Sequence, residues 1–324
     1  MLPNFTYVRV NTVAEAIRQL AAPDAHVHAG GTDLLGCLRD GVFKAERVVS
    51  LGKLISLRGI VTSATGLRIG ALTAIADVAA HRQIREQYTG LAQAAGEVAS
   101  PQLRTQGTLG GNLCQRPRCW YFRGDFHCAR KGGEKCFAVA GENQYHAIFG
   151  GNTCYIVHPS DTAPALVALG AGARISGPAG VRTVPFASFF VTPDKVLLKE
   201  NVLQKGEVLT DILLPPAQAG LRSSYRKVRA RGSWDFALAS VALAVKFKSD
   251  VVESARIVLG GVAPVPWRVA EAEKVVAGNR LTPETAARAA EMAVKGAEPL
   301  AGNEYKVRMV RGVVEEALLA IARP

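Results

Sequence analysis

The sequence is notable first for what it lacks. No apolar run in its 324 residues reaches the ~18 needed to cross a bilayer, so no membrane span is expected. The opening MLPNFTYVRVNT lacks the charged-then-apolar order of a secretory signal. A cytoplasmic chain is therefore expected, or a periplasmic one if a partner carries the export signal. There is no internal repeat and no Ser/His/Asp order that would point to hydrolysis. No G-x-G-x-x-G follows a strand and opens a helix, so a Rossmann fold is unsupported. No cysteines stand in the Cys-x2-Cys spacing of a zinc ribbon or a thioredoxin site. The net charge of +12 is scattered, its densest group running from Arg222 to Arg231. Clustering rather than total charge marks nucleic-acid binding, so no nucleic-acid partner is expected. An anionic cofactor or an acidic neighbouring subunit suits the charge better.

What is present describes a folded protein. Apolar residues make up 48% and charged residues 20%, and the length suits two domains. TVAEAIRQLA (12–21) reads as an amphipathic helix, with Thr12 and Glu15 forming a capping box. HVHA then runs into Gly30-Gly31-Thr32-Asp33, a tight loop whose bare N–H groups can face an anion. GLRIGALTAI (66–75) reads as a strand and turn, Asp77 to Gln83 as helix continuing from it, and 90–99 as a helix stopping near Pro101. A second glycine loop follows, Thr108-Leu109-Gly110-Gly111-Asn112. After Asp161 regular structure resumes, with strands over 222–248 and 253–264. Thr282-Pro283 marks a helix start, and Val307, Val310, Val314, Ala317, Leu318 and Ile321 form the core stripe of a last helix. Pro215-Pro216 marks the expected domain boundary, giving domains 1–216 and 217–324.

Either glycine loop alone is weak evidence. Together they suggest one site for a pyrophosphate, whose close approach needs residues without a Cβ. The stretch from about Cys114 to Cys154 has no sustained apolar period, and a structureless segment of that length is functional or disordered. It carries Cys119-x8-Cys128-x7-Cys136-x17-Cys154. Such gaps suit loops wrapped round an object larger than one ion, as a [4Fe–4S] cluster is. On spacing alone, zinc in a binding module and reduced unliganded thiols stay open. Cys114 is a possible fifth ligand, and Cys37 reads as a small buried hydrophobe. His127 and His146 lie in the same stretch and can serve as supporting groups or ligands, whereas His26 and His28 merely alternate on a strand.

The whole chain resembles the FAD-binding subunits of the molybdenum hydroxylases, the xanthine dehydrogenase and carbon monoxide dehydrogenase family. The matching segments are A-G-G-T-D-L-L (29–35), T-L-G-G-N (108–112), S-D-T-A-P-A-L (160–166), K-V-R-A-R-G-S-W-D-F-A (227–237), I-V-L-G-G-V-A-P-V-P-W-R (257–268) and Y-K-V-R-M-V-R (305–311), in family order. The resemblance implies an α+β protein: a two-subdomain FAD-binding fold of the vanillyl-alcohol-oxidase-like (PCMH) type plus a C-terminal α+β domain. It implies FAD held by Ala29, Gly30, Gly31, Thr32, Asp33 and Leu34, by Thr108, Gly110, Gly111 and Asn112, and by Asp161. Leu209 is implied as an apolar neighbour of the flavin ring, and Lys227 as a cation near it. The insert of about 40 residues between G-G-N and S-D, roughly 114–158, resembles that of periplasmic aldehyde oxidoreductases and 4-hydroxybenzoyl-CoA reductases. R-C-W-Y-F and G-E-N-Q-Y-H-A-I-F are closer to the aldehyde type. The implied cluster ligands are Cys119, Cys128, Cys136 and Cys154. In the benzoyl-CoA type the fourth cysteine falls nearer Tyr145. The implied function is electron transfer: from a large molybdopterin subunit, through [2Fe–2S] clusters of a small subunit, to FAD here and on to an external acceptor. Aldehyde oxidation leads, with N-heterocycles and aryl-CoA thioesters behind. No catalytic acid, base or molybdenum ligand is implied on this chain.

Overall fold

The computed structural model describes residues 1–323. Three sheets organise it as an α+β protein. The first is parallel and three-stranded, with Arg47–Ser50 between Thr6–Arg9 and Ala25–His28. Helix Val13–Leu20 connects two of its strands. The Thr12 hydroxyl accepts from Glu15 N at 3.1 Å, while the Glu15 carboxylate accepts from Asn11 N at 2.8 Å. The capping box is thus closed one residue earlier than its usual form.

The second sheet is antiparallel, in the order Ile60–Ser63, Gly66–Gly70, Val208–Leu214, Gly172–Gly177, Gly180–Pro185. Its helices include Thr89–Gly96 and Thr162–Ala168. The helix expected from Asp77 to Gln83 is two short helices, Ile75–Ala80 and Arg82–Gln87. They are separated by His81, whose backbone is extended.

The third sheet, also antiparallel, runs Trp267–Arg268, Val251–Gly260, Ala239–Lys248, Leu221–Val228. Ala239–Lys248 is buried on both faces, which is why it reads ASVALAV rather than alternating. Val241, Leu243 and Val245 face helices Pro283–Ala293 and Tyr305–Ala322. Ala242 and Ala244 face the other way, into the core shared with the second sheet. Burying each large aliphatic side chain here contributes about 1.5–3 kcal/mol. The last helix buries Val310, Val314, Ala317, Leu318 and Ile321, and with them Lys306. Thr282 caps Pro283–Ala293 through Thr285 N at 3.2 Å. This third layer therefore packs its own helices on one face and presents the other to helices Thr89–Gly96 and Thr162–Ala168 over the second sheet.

Candidate functional site

The strand Ala25–His28 delivers the chain into the first glycine loop, and Gly31 turns it with φ +74°. That conformation is costly for any residue with a Cβ. A Cβ on Gly30 would run into the carbonyl of Gln106, whose side-chain amide donates to Gly30 O at 3.0 Å. The two glycine loops touch only because this position is bare. The first N–H after the strand to be used internally is that of Leu35, donated to Gly31 O at 3.2 Å. Those of Gly31, Thr32 and Asp33 find no acceptor among the described residues. Unpaired donors of this kind suit an anion.

The second loop differs. Leu109 N goes to Thr73 O at 2.9 Å, Gly110 N to Ala71 O at 2.8 Å, and Gly111 N to Thr108 Oγ1 at 3.1 Å. Its donors are spent on packing, so what it offers a ligand is a wall without side chains.

Three hollows follow one another from these loops. One of about 250 Å³ is walled by Ala29 to Leu34, Thr108, Gly110, Gly111 and Leu209. A second, of about 350 Å³, shares Thr32, Asp33, Thr108 and Gly111 with it and adds Asn112, Asp161, Trp234 and Phe236. A third, of about 260 Å³, shares Asp161 and Phe236 and ends at Cys119, Trp120 and His146. The result is a continuous trench on the scale of a nucleotide cofactor.

Buried polar groups fix the middle of the trench. Asn112 Oδ1 accepts from the hydroxyls of Ser160 at 2.6 Å and Thr162 at 2.7 Å, joining the second loop to the S-D-T segment. Between those hydroxyls, Asp161 accepts from Tyr225 OH at 2.6 Å and from Lys227 Nζ at 2.8 Å. Burial pushes the Asp161 carboxyl above its ordinary value, and Lys227 and Tyr225 oppose that. Lys227 is 1% exposed and also donates to Glu97 O at 3.1 Å. Asp161 faces the trench and Lys227 lies behind it, so the pair presents no isolated cation. Leu209 lies with the first loop, away from Asp161.

The Asp33 carboxylate is committed to the insert. Its carboxylate accepts from Arg116 N at 2.7 Å, from Arg123 Nη2 at 2.7 Å and from Arg118 Nη1. Burial raises its pKa, but Arg118 and Arg123 outweigh that and hold it below the usual carboxylate range. Arg123 Nη1 also lies 2.8 Å from the sulfur of Cys37, a buried thiol pushed up to about 11 by burial. The insert itself has little regular structure beyond Trp120–Arg123 and the short turn Ala129–Lys131.

All six cysteines are free. Cys119, Cys128, Cys136 and Cys154 line one small cavity with Phe122, Arg130 and His146. His146 Nε2 is 3.2 Å from Cys119 Sγ. The Cys154 thiol lies against Cys136, and this contact lowers the Cys136 pKa while raising that of Cys154. Among the described residues no three His, Cys, Asp or Glu side chains are arranged to hold a single metal ion. Cys114 is outside this cavity and lines the first hollow, while Tyr145 lines the third. His127 is exposed.

The structure thus brings the two glycine loops, Asn112 and Asp161 into one trench and the four insert cysteines into one cavity. Sequence reasoning missed Tyr225, the Asp33–arginine anchor and the aromatic lip of Trp234 and Phe236. The Phe236 ring lies 5.1 Å from the Arg118 guanidinium. Only the alternation of Tyr225 with Lys227 on one strand face carried a signal.

Residues 3–217 match the FAD binding domain in molybdopterin dehydrogenase, and 223–321 the CO dehydrogenase flavoprotein C-terminal domain. The chain is 36% identical to the aldehyde oxidoreductase FAD-binding subunit PaoB of Escherichia coli, over 97% of each. It is 29% identical to the carbon monoxide dehydrogenase medium chain of Hydrogenophaga pseudoflava, over 98% of this chain and 97% of that one. The structure of carbon monoxide dehydrogenase from that organism superposes with a TM-score of 0.79 at 27% identity, covering 99% of this chain and 98% of that one. Quinoline 2-oxidoreductase from Pseudomonas putida gives 0.79 at 25% identity, covering 100% and 98%.

Proposed function

The chain belongs to the family of FAD-binding subunits of molybdopterin dehydrogenases, and from that premise we propose that it is the electron-transfer flavoprotein subunit of a molybdenum hydroxylase complex that oxidises aldehydes on another chain. The observation that carries this reading is the meeting of both glycine loops and Asp161 in one trench. FAD supplies there a carrier that takes electrons singly and releases them in pairs. The domain of residues 1–216 holds it, and Trp234 and Phe236 of the C-terminal domain close the trench from the other side. The free N–H groups of Gly31, Thr32 and Asp33 bind the pyrophosphate, and Gly110 and Gly111 let it approach. Asp161, held by Lys227 and Tyr225, orients the flavin end. Leu209 contributes apolar contact.

The insert holds a [4Fe–4S] cluster through Cys119, Cys128, Cys136 and Cys154. Four thiols around one cavity support this. In the assembly a large molybdopterin subunit and a small [2Fe–2S] subunit deliver electrons, and an external acceptor collects them.

The test is purification of the native complex, with flavin and metal counts and a visible spectrum. FAD, about four iron atoms beyond those of the small subunit, and co-purifying larger and smaller chains are expected. A colourless chain that cannot be reconstituted with FAD would overturn the proposal.

A further inference from the structure

One buried cation beside the cysteine cavity is unused by anything above. Arg130 is fully inside the protein, its side chain 1% exposed. Two of its three nitrogens are engaged. Nε donates to Glu200 at 3.1 Å, and Nη2 donates to Glu200 at 2.7 Å and to Lys199 O at 2.8 Å. Nη1 is buried and has no partner among the described residues. Arg130 also lines the cavity of Cys119, Cys128, Cys136 and Cys154. A buried N–H donor left unpaired is costly, and more so on a charged group. Such a group is therefore kept for a partner that belongs in the cavity.

Glu200 is shared. It accepts from Arg130 and sits 3.0 Å from Arg116 Nε, and Arg116 lines the first hollow of the trench. The guanidinium is thus clamped by Glu200 and the Lys199 carbonyl, with one nitrogen left over on a side chain that lines the cavity.

We infer that Arg130 Nη1 donates a hydrogen bond to a sulfur of the iron–sulfur cluster, and that the clamped Arg130–Glu200 pair sets the cluster's reduction potential. The inference rests on the cluster reading proposed above. The physical basis is charge. Reduction adds an electron to an already anionic, buried group, and N–H donors and net charge around the sulfurs are established determinants of its potential. Arg130 favours the reduced cluster and Glu200 opposes it. The pair is therefore a positioning and tuning device with no bond made or broken.

Two substitutions give opposite signs, which a purely structural role would not. The protein is the purified complex, and the cluster is followed by its electron-paramagnetic-resonance signal during redox titration. That signal is identified as the one lost in Cys136→Ser. Arg130→Gln is expected to lower the reduced-to-oxidised ratio at a fixed applied potential about tenfold, a negative shift of about 59 mV for one electron. Arg130→Lys should recover part of it, and Glu200→Gln should shift the potential the other way.

If these variants fail to fold, the wild-type complex still supplies the test. With guanidino-nitrogen-15 arginine incorporated, a weak nitrogen hyperfine coupling to the reduced cluster is expected. An unshifted potential in iron-replete Arg130→Gln, or no such coupling in wild type, overturns the inference and leaves the cluster itself standing. Absence of the cluster from wild type overturns both.

Discussion

The flavin trench and the cysteine insert hold their proposed groups by opposite means. At the glycine loops the trench wall is main chain. Gly31 turns the first loop, Gly30 lets it touch Gln106, and Gly110 and Gly111 are pinned to Ala71 and Thr108. Every one of these positions is set by a strand end or a short helix. In the insert the surface is side chain, on loops with almost no ladder of their own. Its backbone is tied down from a distance: Lys306 Nζ donates to the carbonyls of Tyr145, His146 and Gly261 at 2.8–3.1 Å. Asn303 Nδ2 adds bonds to His146 O and Ala147 O at 3.1 and 3.2 Å. A site made of main chain exists before its ligand arrives. A site made of thiols on loops is completed by the metal it binds, so metal and folding are coupled there.

Removing one thiol is the strongest way to break that contrast. In Cys136→Ser the iron bound by this chain should fall from about four atoms to about zero, and solubility should drop as the insert loosens. The FAD content should hold, because the two glycine loops and Asp161 do not draw on the thiols. Iron and flavin analysis of the same preparation reads both. Full iron would exclude Cys136 as a ligand, and joint loss of flavin would show that the two regions fold as one.

The reciprocal change strikes the trench. Lys227→Met leaves Asp161 buried without its cation, and breaking a buried pair from one side costs about 3–5 kcal/mol. Flavin retention and thermal stability should fall while the iron content stays. Adding Asp161→Asn to the same chain should restore part of the stability, since both charges are then gone, and the double-mutant cycle measures the pair. Unchanged flavin binding and unfolding in Lys227→Met would remove the pair from the site.

How much of this was legible beforehand divides along the same line. The loops, the Thr12 and Thr282 caps and the stripe of the last helix could be read because each depends on residues within a turn or two. The insert's lack of period was equally visible. Lys306 was not. It stands on the stripe face of the final helix, where a lysine ordinarily points to solvent, and its three carbonyl partners lie 45 to 161 residues away. Asp33 is a similar case. Within Gly-Gly-Thr-Asp it reads as part of a ligand loop, yet its carboxylate is committed to arginines 83 to 90 residues on. Nor was Lys227 legible as half of a buried pair, because its spacing from Asp161 carries no local rule. Side chains whose partners are remote leave no periodic trace in a sequence.

A smaller effect sharpens the claim that the trench is backbone-built. In Gly30→Ala the new methyl meets the Gln106 carbonyl, and main chain cannot swing aside as a side chain can. Overpacking of this sort costs about 1–3 kcal/mol, and it should appear as weaker FAD binding by fluorescence titration of reconstituted apoprotein. Iron should be untouched. Wild-type affinity in this variant would mean that the loops need not touch for the cofactor to seat.

The smallest effect expected belongs to Cys114→Ser, and it tests where one region stops and the other starts. Cys114 is the cysteine nearest the insert's ligand run, separated from Cys119 by four residues, but it lines the hollow beside Gly110 and Gly111 and not the four-thiol cavity. Its thiol lies beside the glycine loop, outside the cavity that the four other thiols share. Serine keeps the shape and adds a hydroxyl that needs a partner, a cost of about 1 kcal/mol. Iron content and the cluster's spectrum should match wild type, with at most a slight loss of flavin affinity. If iron were lost instead, Cys114 would belong to the ligand set, and the boundary between a wall of main chain and a cage of thiols would have to move to include the second glycine loop.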